Sequence, residues 1–289
     1  MLDKARRALT LSPHLNPVAQ IVRSFASELY ITKCRGGFLP YVGAATLLAV
    51  AGMAPSEYGP LFMVAGDING PVGDSIGFIG NILDPEHIAE SAVRSSFCYT
   101  AFWIPFVAIM GVCAVGEGIK GLQSQLSVAH GVSGGSSTLA RALVNVICIP
   151  PFYFLSCLPG FLAKMFLYDA PISMNSIRLF LIYLIVNSFI LCALFAMSSL
   201  VASMLRPAVA STLLSILPHL GALLSYPSNY AMGNASPLWW TSPATWLMHS
   251  CSLNLSQPAT LLALIYSLAV LAISFALTYV VCCHQEAHR

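Results

Sequence analysis

Long uninterrupted hydrophobic stretches dominate the chain and predict its main elements. A helix that crosses a bilayer needs about 20 mostly apolar residues at a rise of about 1.5 Å per residue. The first candidate stretch is short and rich in small residues, such as Gly43 and Gly52, which allow helix backbones to approach closely in lipid. We predict six transmembrane helices, at residues 38–54, 96–116, 142–163, 178–203, 208–226 and 259–283.

A segment of different, amphipathic character precedes the first hydrophobic stretch. Over residues 16–33, apolar side chains recur at helical spacing on one face and polar side chains occupy the other. Because Asn16 is suited to cap a helix and Pro17 to its first turn, we predict an elbow helix that lies in the inner membrane interface. The alternative is a helix that packs on a soluble partner. The charged positions assigned to this helix are Arg23, Glu28, Lys33 and Arg35.

The lysine and arginine residues set the predicted orientation, because cytoplasmic loops are enriched in both. With the N-terminus inside, ten of the 13 fall on the inner side and three on the outer side. We therefore predict a cytoplasmic N-terminal region (1–37), a transmembrane domain (38–283) and a cytoplasmic tail (284–289), with both termini inside. Residues 1–37 lack a hydrophobic core of signal-peptide length, so we expect this region to remain in the working protein.

Three connections between the predicted spans are long. The outer loop 55–95 contains spaced glycines, which disfavour a long regular element, and ends with the helix-start signature Asp84-Pro85-Glu86. The inner loop 117–141 contains a short amphipathic segment on which a soluble partner can act. The outer segment 227–258 has no Asp, Glu, Lys or Arg but has three tryptophans, which prefer the membrane boundary. We predict that this last segment is re-entrant or interfacial.

Composition narrows the classes of protein that remain. Of 289 residues, 57% are hydrophobic and 8% are charged, whereas soluble domains carry about 25% charged residues. This excludes a soluble enzyme and a disordered chain, and a net charge of +2 excludes a nucleic-acid binder. Nine cysteines include no C-x-x-C pair and mostly lie in or beside apolar runs, so we interpret them as small apolar side chains. The predicted class is an all-α polytopic membrane protein with six spans and an N-terminal amphipathic interfacial helix.

Few residues within the predicted spans have side chains suited to catalysis or to lining a polar passage. Ser211, Ser215 and His219 repeat every four residues and so share one helix face. They line a passage or, as the alternative, form a helix interface with hydrogen bonds to neighbours. Residues 131–135 match G-x-S-x-G, but a nucleophile at Ser133 needs a histidine base within reach, and His219 is predicted at mid-membrane depth. We therefore attribute this match to chance in a Gly/Ser-rich loop.

The first inner loop and its flanks contain a recognisable set of positions. These are Glu117, Gly118, Leu122 and Leu126 after the second span and Arg141 before the third. Together with the elbow helix and the order of spans, they resemble the permease subunit of type 2 ATP-binding-cassette exporters. The sequence departs from that family at Ala129-His130-Gly131, where a proline is expected. The segment before the sixth span is also similar to the family's outer re-entrant region, because it contains the proline pairs Ser236-Pro237 and Ser242-Pro243.

The resemblance implies a mechanism and a set of partners. Two permease chains, identical or paralogous, pair in the lipid bilayer of a bacterial plasma membrane, and each docks a separate ATPase subunit that binds ATP and Mg. The chain itself is expected to bind no cofactor, and it contains no phosphate-binding G-x-x-x-x-G-K-[ST] motif. Closure of the ATPase pair drives alternating access and the export of an amphipathic or hydrophobic cargo, such as a drug, a lipid or a peptide.

The resemblance also implies two groups of site residues. The coupling element for the ATPase comprises Glu117, Gly118, Lys120, Leu122, Gln125 and Leu126. The candidates for the translocation path are Phe102, Trp103, Ser211, Ser215 and His219. The competing functions are an ATP-independent carrier or channel, against which the scarcity of intramembrane charge argues, and an intramembrane serine hydrolase.

Overall fold

The structure of the chain, a computed structural model, describes residues 17–34, 36–54, 61–67, 74–80, 84–120, 133–205, 208–234 and 236–287. Within these ranges it contains nine α-helices, a 3-10 helix (Pro237–Thr241) and two strands, β1 (Leu61–Gly66) and β2 (Ser75–Ile79). The helices are α1 (Pro17–Cys34), α2 (Leu39–Met53), α3 (Ile88–Ser96), α4 (Thr100–Lys120), α5 (Gly134–Leu167), α6 (Met174–Met204), α7 (Ala208–Ala231), α8 (Pro243–Cys251) and α9 (Gln257–Ala287).

Five helical segments are long and apolar enough to cross a membrane, as far as the described residues extend. They are α3 taken together with α4, and then α5, α6, α7 and α9. The last five predicted spans, from 96–116 to 259–283, each lie within one of these segments. The architecture therefore matches that of a helical, polytopic membrane protein.

The first predicted span, 38–54, differs from the expectation of a separate membrane crossing. α2 has 15 residues, and its length of about 22 Å is less than the roughly 30 Å of a hydrocarbon core. It follows α1 after a bend of 62°, and the two helices meet the requirement for a span only together. The described chain thus has five candidate spans, or six if the bent pair counts as one. The small residues do allow close packing on α5, since Gly52 and Gly160 meet backbone to backbone.

Helix α6 lies at the centre of the bundle and packs against α4, α5, α7, α8 and α9. Of its most hydropathic stretch 72% is buried, against 28% for α7 and 22% for α9. The outward faces of α7 and α9 expose large apolar side chains, among them Leu224 and Ile273. Such surfaces are unfavourable in water and suit helices that are surrounded by lipid.

A β-hairpin interrupts the helical chain, and the predicted all-α class did not include it. β1 and β2 pair antiparallel, with Phe62 opposite Phe78 and an irregularity before Ala65. Gly66 and Gly77 have φ angles of +94° and +127°, where a side chain would be strained. The glycines that disfavour a long element in this loop are therefore the residues that permit a short, bent one. β2 is wholly buried, and the hairpin packs against α7 and α8.

Helix α5 begins earlier than the sequence predicted, so residues 134–141 of the predicted inner loop 117–141 are helical. Ser133 is the reason for this start, because its Oγ accepts a hydrogen bond from the backbone N–H of Ser136 at 3.2 Å. Arg141, which was expected to precede the third span, therefore lies inside α5 and is buried.

The helix-start signature after the outer loop forms a turn before the helix itself. Asp84 Oδ1 accepts hydrogen bonds from the backbone N–H groups of Glu86 and His87, at 3.0 and 3.2 Å. α3 then begins at Ile88 and is separated from α4 by a turn at residues 97–99. The second span is thus preceded by a short helix of its own.

The predicted outer segment 227–258 contains the end of α7, the 3-10 helix and α8. All nine residues of α8 are buried, and the helix packs against α6, α7 and β2. At nine residues it is too short to cross a membrane.

Candidate functional site

A buried ion pair joins α1 to α5. Arg141 donates a hydrogen bond from Nε to Glu28 Oε2 at 3.2 Å and another from Nη2 to Glu28 Oε1 at 3.0 Å. Only 11% of the arginine side chain and 6% of the glutamate side chain are exposed. Two parallel hydrogen bonds between opposite charges fix both distance and orientation, so the pair holds the two helices in one register.

A second contact lies two turns earlier on α1. Gln20 Oε1 accepts hydrogen bonds from the backbone N–H of Ser133 at 3.2 Å and from the hydroxyl of Ser136 at 3.4 Å. The side chain of α1 thereby binds the N-terminal end of α5, where backbone N–H groups have no partner within the helix. We call the five residues of these two contacts the N-terminal clamp: Gln20, Glu28, Ser133, Ser136 and Arg141.

The apolar face of α1 points away from the protein. Val18, Val22 and Tyr30 are 64%, 63% and 69% exposed, whereas Glu28 is buried against α5. A helix in water would have the opposite arrangement, because exposed apolar surface and buried charge both cost free energy there. The arrangement suits a helix with lipid on one side and protein on the other. Arg23 and Lys33 are exposed on α1, and Arg35 lies outside the described residues.

The residues predicted to couple to an ATPase lie at and after the end of α4. Glu117, Gly118 and Lys120 belong to the last turn of α4, and their side chains lie outside the described part of the chain. Leu122, Gln125 and Leu126 also lie outside the described residues. The structure does describe the far end of this connection, where the N-terminal clamp holds the start of α5.

Ser211, Ser215 and His219, which were predicted to share one face of α7, are all buried. Ser211 Oγ donates a hydrogen bond to the carbonyl of Leu205 at 2.9 Å, and His219 Nδ1 lies 3.3 Å from Ser242 Oγ. Ser215 Oγ is buried without a hydrogen-bond partner in the part of the chain that the structure describes. These bonds join α7 to a residue shortly before it and to the residue directly before α8, and both interpretations of the face, a passage lining and a helix interface, stay predictions.

The two aromatic path candidates have different surroundings although they are adjacent in sequence. Trp103 is buried, and its indole N–H donates a hydrogen bond to Ser156 Oγ of α5 at 3.1 Å. Phe102 is 45% exposed and packs edge-on against Phe62 of β1, with ring centroids 5.4 Å apart. Neighbouring residues of a helix point about 100° apart, and the structure does not bring these two side chains to one face.

Two hydrogen bonds that sequence analysis missed attach the outer segment to α7. Tyr226 of α7 and His249 of α8 are bonded through the tyrosine hydroxyl and Nε2, at 2.8 Å. His219 bonds Ser242, the residue directly before α8. His249 also stacks on Trp240, with ring centroids 4.6 Å apart. Nothing in the spacing of single histidines and tyrosines indicates which of them meet, so the sequence offers no signal for these pairs.

Helix α8 is attached to its other neighbours by polar side chains as well. The hydroxyl of Ser250 donates a hydrogen bond to the side-chain oxygen of Asn187 in α6. The hydroxyl of Ser252, just after α8, donates to the carbonyl of Gly77 in β2. The outer segment is therefore bound to α6, α7 and the hairpin at once.

The serine of the G-x-S-x-G match serves as a helix cap. Ser133 Oγ lies 2.7 Å from Ser136 Oγ and caps α5, whereas His219 bonds Ser242. The two residues of the hypothetical hydrolase thus have different partners on different elements. Among the described residues no group of three or more His, Cys, Asp or Glu side chains is placed to hold a metal ion, and no cysteine forms a disulfide.

Comparisons with known proteins add no family to this description. No protein-family model, no curated protein and no solved structure matches the chain.

Proposed function

We propose that this chain is the permease subunit of an ATP-driven exporter of the type 2 ATP-binding-cassette class. It moves an amphipathic or hydrophobic substrate, such as a drug, a lipid or a peptide, across the membrane by alternating access. The proposal is supported by the order of the elements: an elbow helix, five or six candidate spans and the short buried helix α8 before the last of them.

The observation that carries the proposal is the N-terminal clamp. A separate ATPase subunit needs a docking surface on the permease and a rigid connection from that surface to the transmembrane helices. The clamp binds α1 to the first turns of α5, directly after the predicted coupling element. A displacement of the coupling element is therefore passed to α1 and α5 together, because a buried bidentate pair resists relative movement of the two helices.

The partners follow from the same proposal. A separate ATPase subunit binds ATP and Mg and docks on Glu117–Leu126 and on the elbow helix, and a second permease chain, identical or paralogous, completes the path. The surroundings are the lipid bilayer of a bacterial plasma membrane, with both termini of the chain in the cytoplasm. Positions with apolar side chains along α7 and α9 suit contact with lipid.

The test is a purification followed by reconstitution. The full-length chain is isolated from its native membrane under mild conditions, and we expect an ATPase subunit with a Walker A motif to co-purify. With both chains in liposomes, Glu117→Lys and Lys120→Glu should lower transport per ATP hydrolysed at least about tenfold, since each reverses a charge at the docking surface. Arg178→Glu, an exposed position on α6 outside this surface, is the matched control and should leave coupling unchanged.

Two results would contradict the proposal. One is normal coupling in both charge-reversal variants. The other is substrate flux in liposomes that contain this chain alone, which would instead indicate an ATP-independent carrier or channel.

A further inference from the structure

Arg94 of α3 is a fully buried cation without a hydrogen bond to the residues that the structure describes. Its side chain is 0% exposed, and Nε, Nη1 and Nη2 have no hydrogen bond to any part of the chain that the structure describes. The hydroxyls of Ser91 and Ser95 are likewise buried and without a partner among the described residues. Positions three or four residues apart share one helix face, so the guanidinium and the Ser91 hydroxyl lie on the same side of α3.

One acidic side chain acts on this charge without hydrogen-bonding to it. The Asp84 carboxylate attracts the guanidinium electrostatically. However, its Oδ1 accepts the backbone N–H groups of Glu86 and His87, and its Oδ2 lies 2.9 Å from His87 Nδ1. Removing a charge from water without giving it hydrogen bonds costs several kcal/mol, and buried polar groups in proteins are almost always paired. A ligand with accepting oxygen atoms would satisfy both the charge and the hydroxyls.

The position of Arg94 along the membrane normal narrows the kind of ligand. The candidate span that contains Arg94 is Ile88–Gly116, and its 29 residues exceed the roughly 20 that a helix needs to cross the hydrocarbon core. Arg94 is the seventh residue of this segment, so it lies nearer to the lipid headgroups than to the bilayer centre. Phosphate is the abundant oxyanion at this level.

We propose that Arg94, with the hydroxyls of Ser91 and Ser95, binds a phosphate group. The planar guanidinium presents paired N–H donors that match two phosphate oxygens, and each serine hydroxyl is able to donate one further hydrogen bond. Inorganic phosphate and the phosphate of a phospholipid headgroup share this chemistry. The site does not depend on the permease assignment.

The experiment uses the full-length chain in dodecyl maltoside, a detergent without phosphate. Inorganic phosphate or phosphatidylglycerol is titrated at constant ionic strength, and the midpoint of thermal unfolding is measured by tryptophan fluorescence. The phosphorus content of the purified protein is measured separately. We expect a saturable rise of a few degrees, or phospholipid that remains bound through purification, because a ligand that binds only the folded state stabilises it. A response to inorganic phosphate identifies the free ion as a ligand, and a response to the lipid alone, or retained lipid, identifies the headgroup.

Three variants locate the effect. Arg94→Gln should abolish the response and the retained phosphorus without lowering the ligand-free midpoint, since it removes a buried charge. The double variant Ser91→Ala with Ser95→Ala keeps the charge and should raise the half-saturating concentration about tenfold. Arg178→Gln removes an exposed arginine and should behave as the parent does. The inference is wrong if neither phosphate nor phosphatidylglycerol raises the unfolding midpoint and the purified protein contains no bound phosphorus. It is also wrong if the rise in midpoint and the bound phosphorus are the same in Arg94→Gln as in the parent.

Discussion

Glu28 and Arg141 each bring a charge into the protein interior, and at that position each is compensated by the other. Such a pair gains Coulomb energy but loses hydration, so its net contribution is small compared with the cost of breaking it. Removal of one partner leaves the other buried and uncompensated. The same reasoning distinguishes this pair from Arg23, which is exposed on the same helix.

We predict that Glu28→Gln destabilises the protein by about 3 to 5 kcal/mol, because Arg141 then keeps its buried charge without a counter-charge. Thermal or denaturant unfolding in detergent measures the loss. The double variant Glu28→Gln with Arg141→Gln should recover part of it. Arg23→Gln is the matched control and should change stability by less than about 0.5 kcal/mol. Equal losses in Glu28→Gln and Arg23→Gln would show that the pair contributes nothing.

At the scale of elements, close contacts between helices depend on positions without a side chain. Helices α4 and α6 meet at Gly111, where a Cβ would lie 2.6 Å from the carbonyl oxygen of Phe195 and 2.9 Å from Ser198 Cβ. The hydroxyl of Ser199 also donates a hydrogen bond to the Gly111 carbonyl at 3.2 Å. Gly116, one and a half turns later on α4, has open space where its Cβ would be.

We expect Gly111→Ala to destabilise the protein by about 1 to 3 kcal/mol, because backbone atoms of α6 have to move to admit the methyl group. Gly116→Ala serves as the control, and since alanine favours helix it should be neutral or stabilising by up to about 1 kcal/mol. The unfolding midpoints of Gly111→Ala and Gly116→Ala, measured in the same detergent, test this prediction. A comparable loss in both variants would mean that Gly111 is not a close contact.

The attachment of α8 to α7 is a second prediction at this scale. Tyr226→Phe removes the hydroxyl bonded to His249, and the buried Nε2 then loses that partner while Nδ1 keeps Asn254, which costs about 1 to 3 kcal/mol. Amide hydrogen exchange in residues 243–251 should accelerate by about tenfold or more, as α8 opens more often. Tyr230→Phe keeps its ring contact with His249 and should leave that exchange rate unchanged. Unchanged protection in Tyr226→Phe would show that this bond does not hold α8.

At the scale of the whole molecule, the helices differ in the fraction of their residues that is buried, and this distinguishes a central helix from peripheral ones. α6 is enclosed by its neighbours, whereas α7 and α9 have mostly apolar outward faces. From the positive-inside distribution we predict which end of this bundle lies on which side of the membrane. With this assignment, α3 and the hairpin lie outside and the last turn of α4 lies inside.

Cysteine labelling in intact cells tests this orientation. In a chain whose nine native cysteines are replaced, Glu86→Cys should react with a membrane-impermeant maleimide, because Glu86 is exposed at the predicted outer side. Gln125→Cys should react only after the membrane is made permeable. The reverse labelling pattern would invert the orientation and remove the coupling element from the reach of a cytoplasmic ATPase.

Much of the fold was predictable because hydrophobic length is a local property. The elbow helix predicted at 16–33 is found at Pro17–Cys34, and five predicted spans lie within helices. The hairpin was missed because its strands are short and its glycines are ambiguous until their φ angles are known. The early start of α5 was missed because the Ser133 cap lies in a stretch whose other residues predict a loop. Of the site, the shared face of α7 was predictable from spacing, but the partner of each side chain was not.

The sequence by itself determined that this is a helical membrane protein, because about 20 consecutive apolar residues have few alternatives to a membrane helix. It also determined which faces of α1 and α7 are polar, since helical periodicity fixes the faces of a single element. Only the tertiary structure decided that Glu28 meets Arg141, that His249 meets Tyr226, and that Arg94 is buried without a hydrogen bond to the described part of the chain. These facts depend on how separate helices approach one another, and the free energy that decides it comes from contacts between residues far apart in the chain.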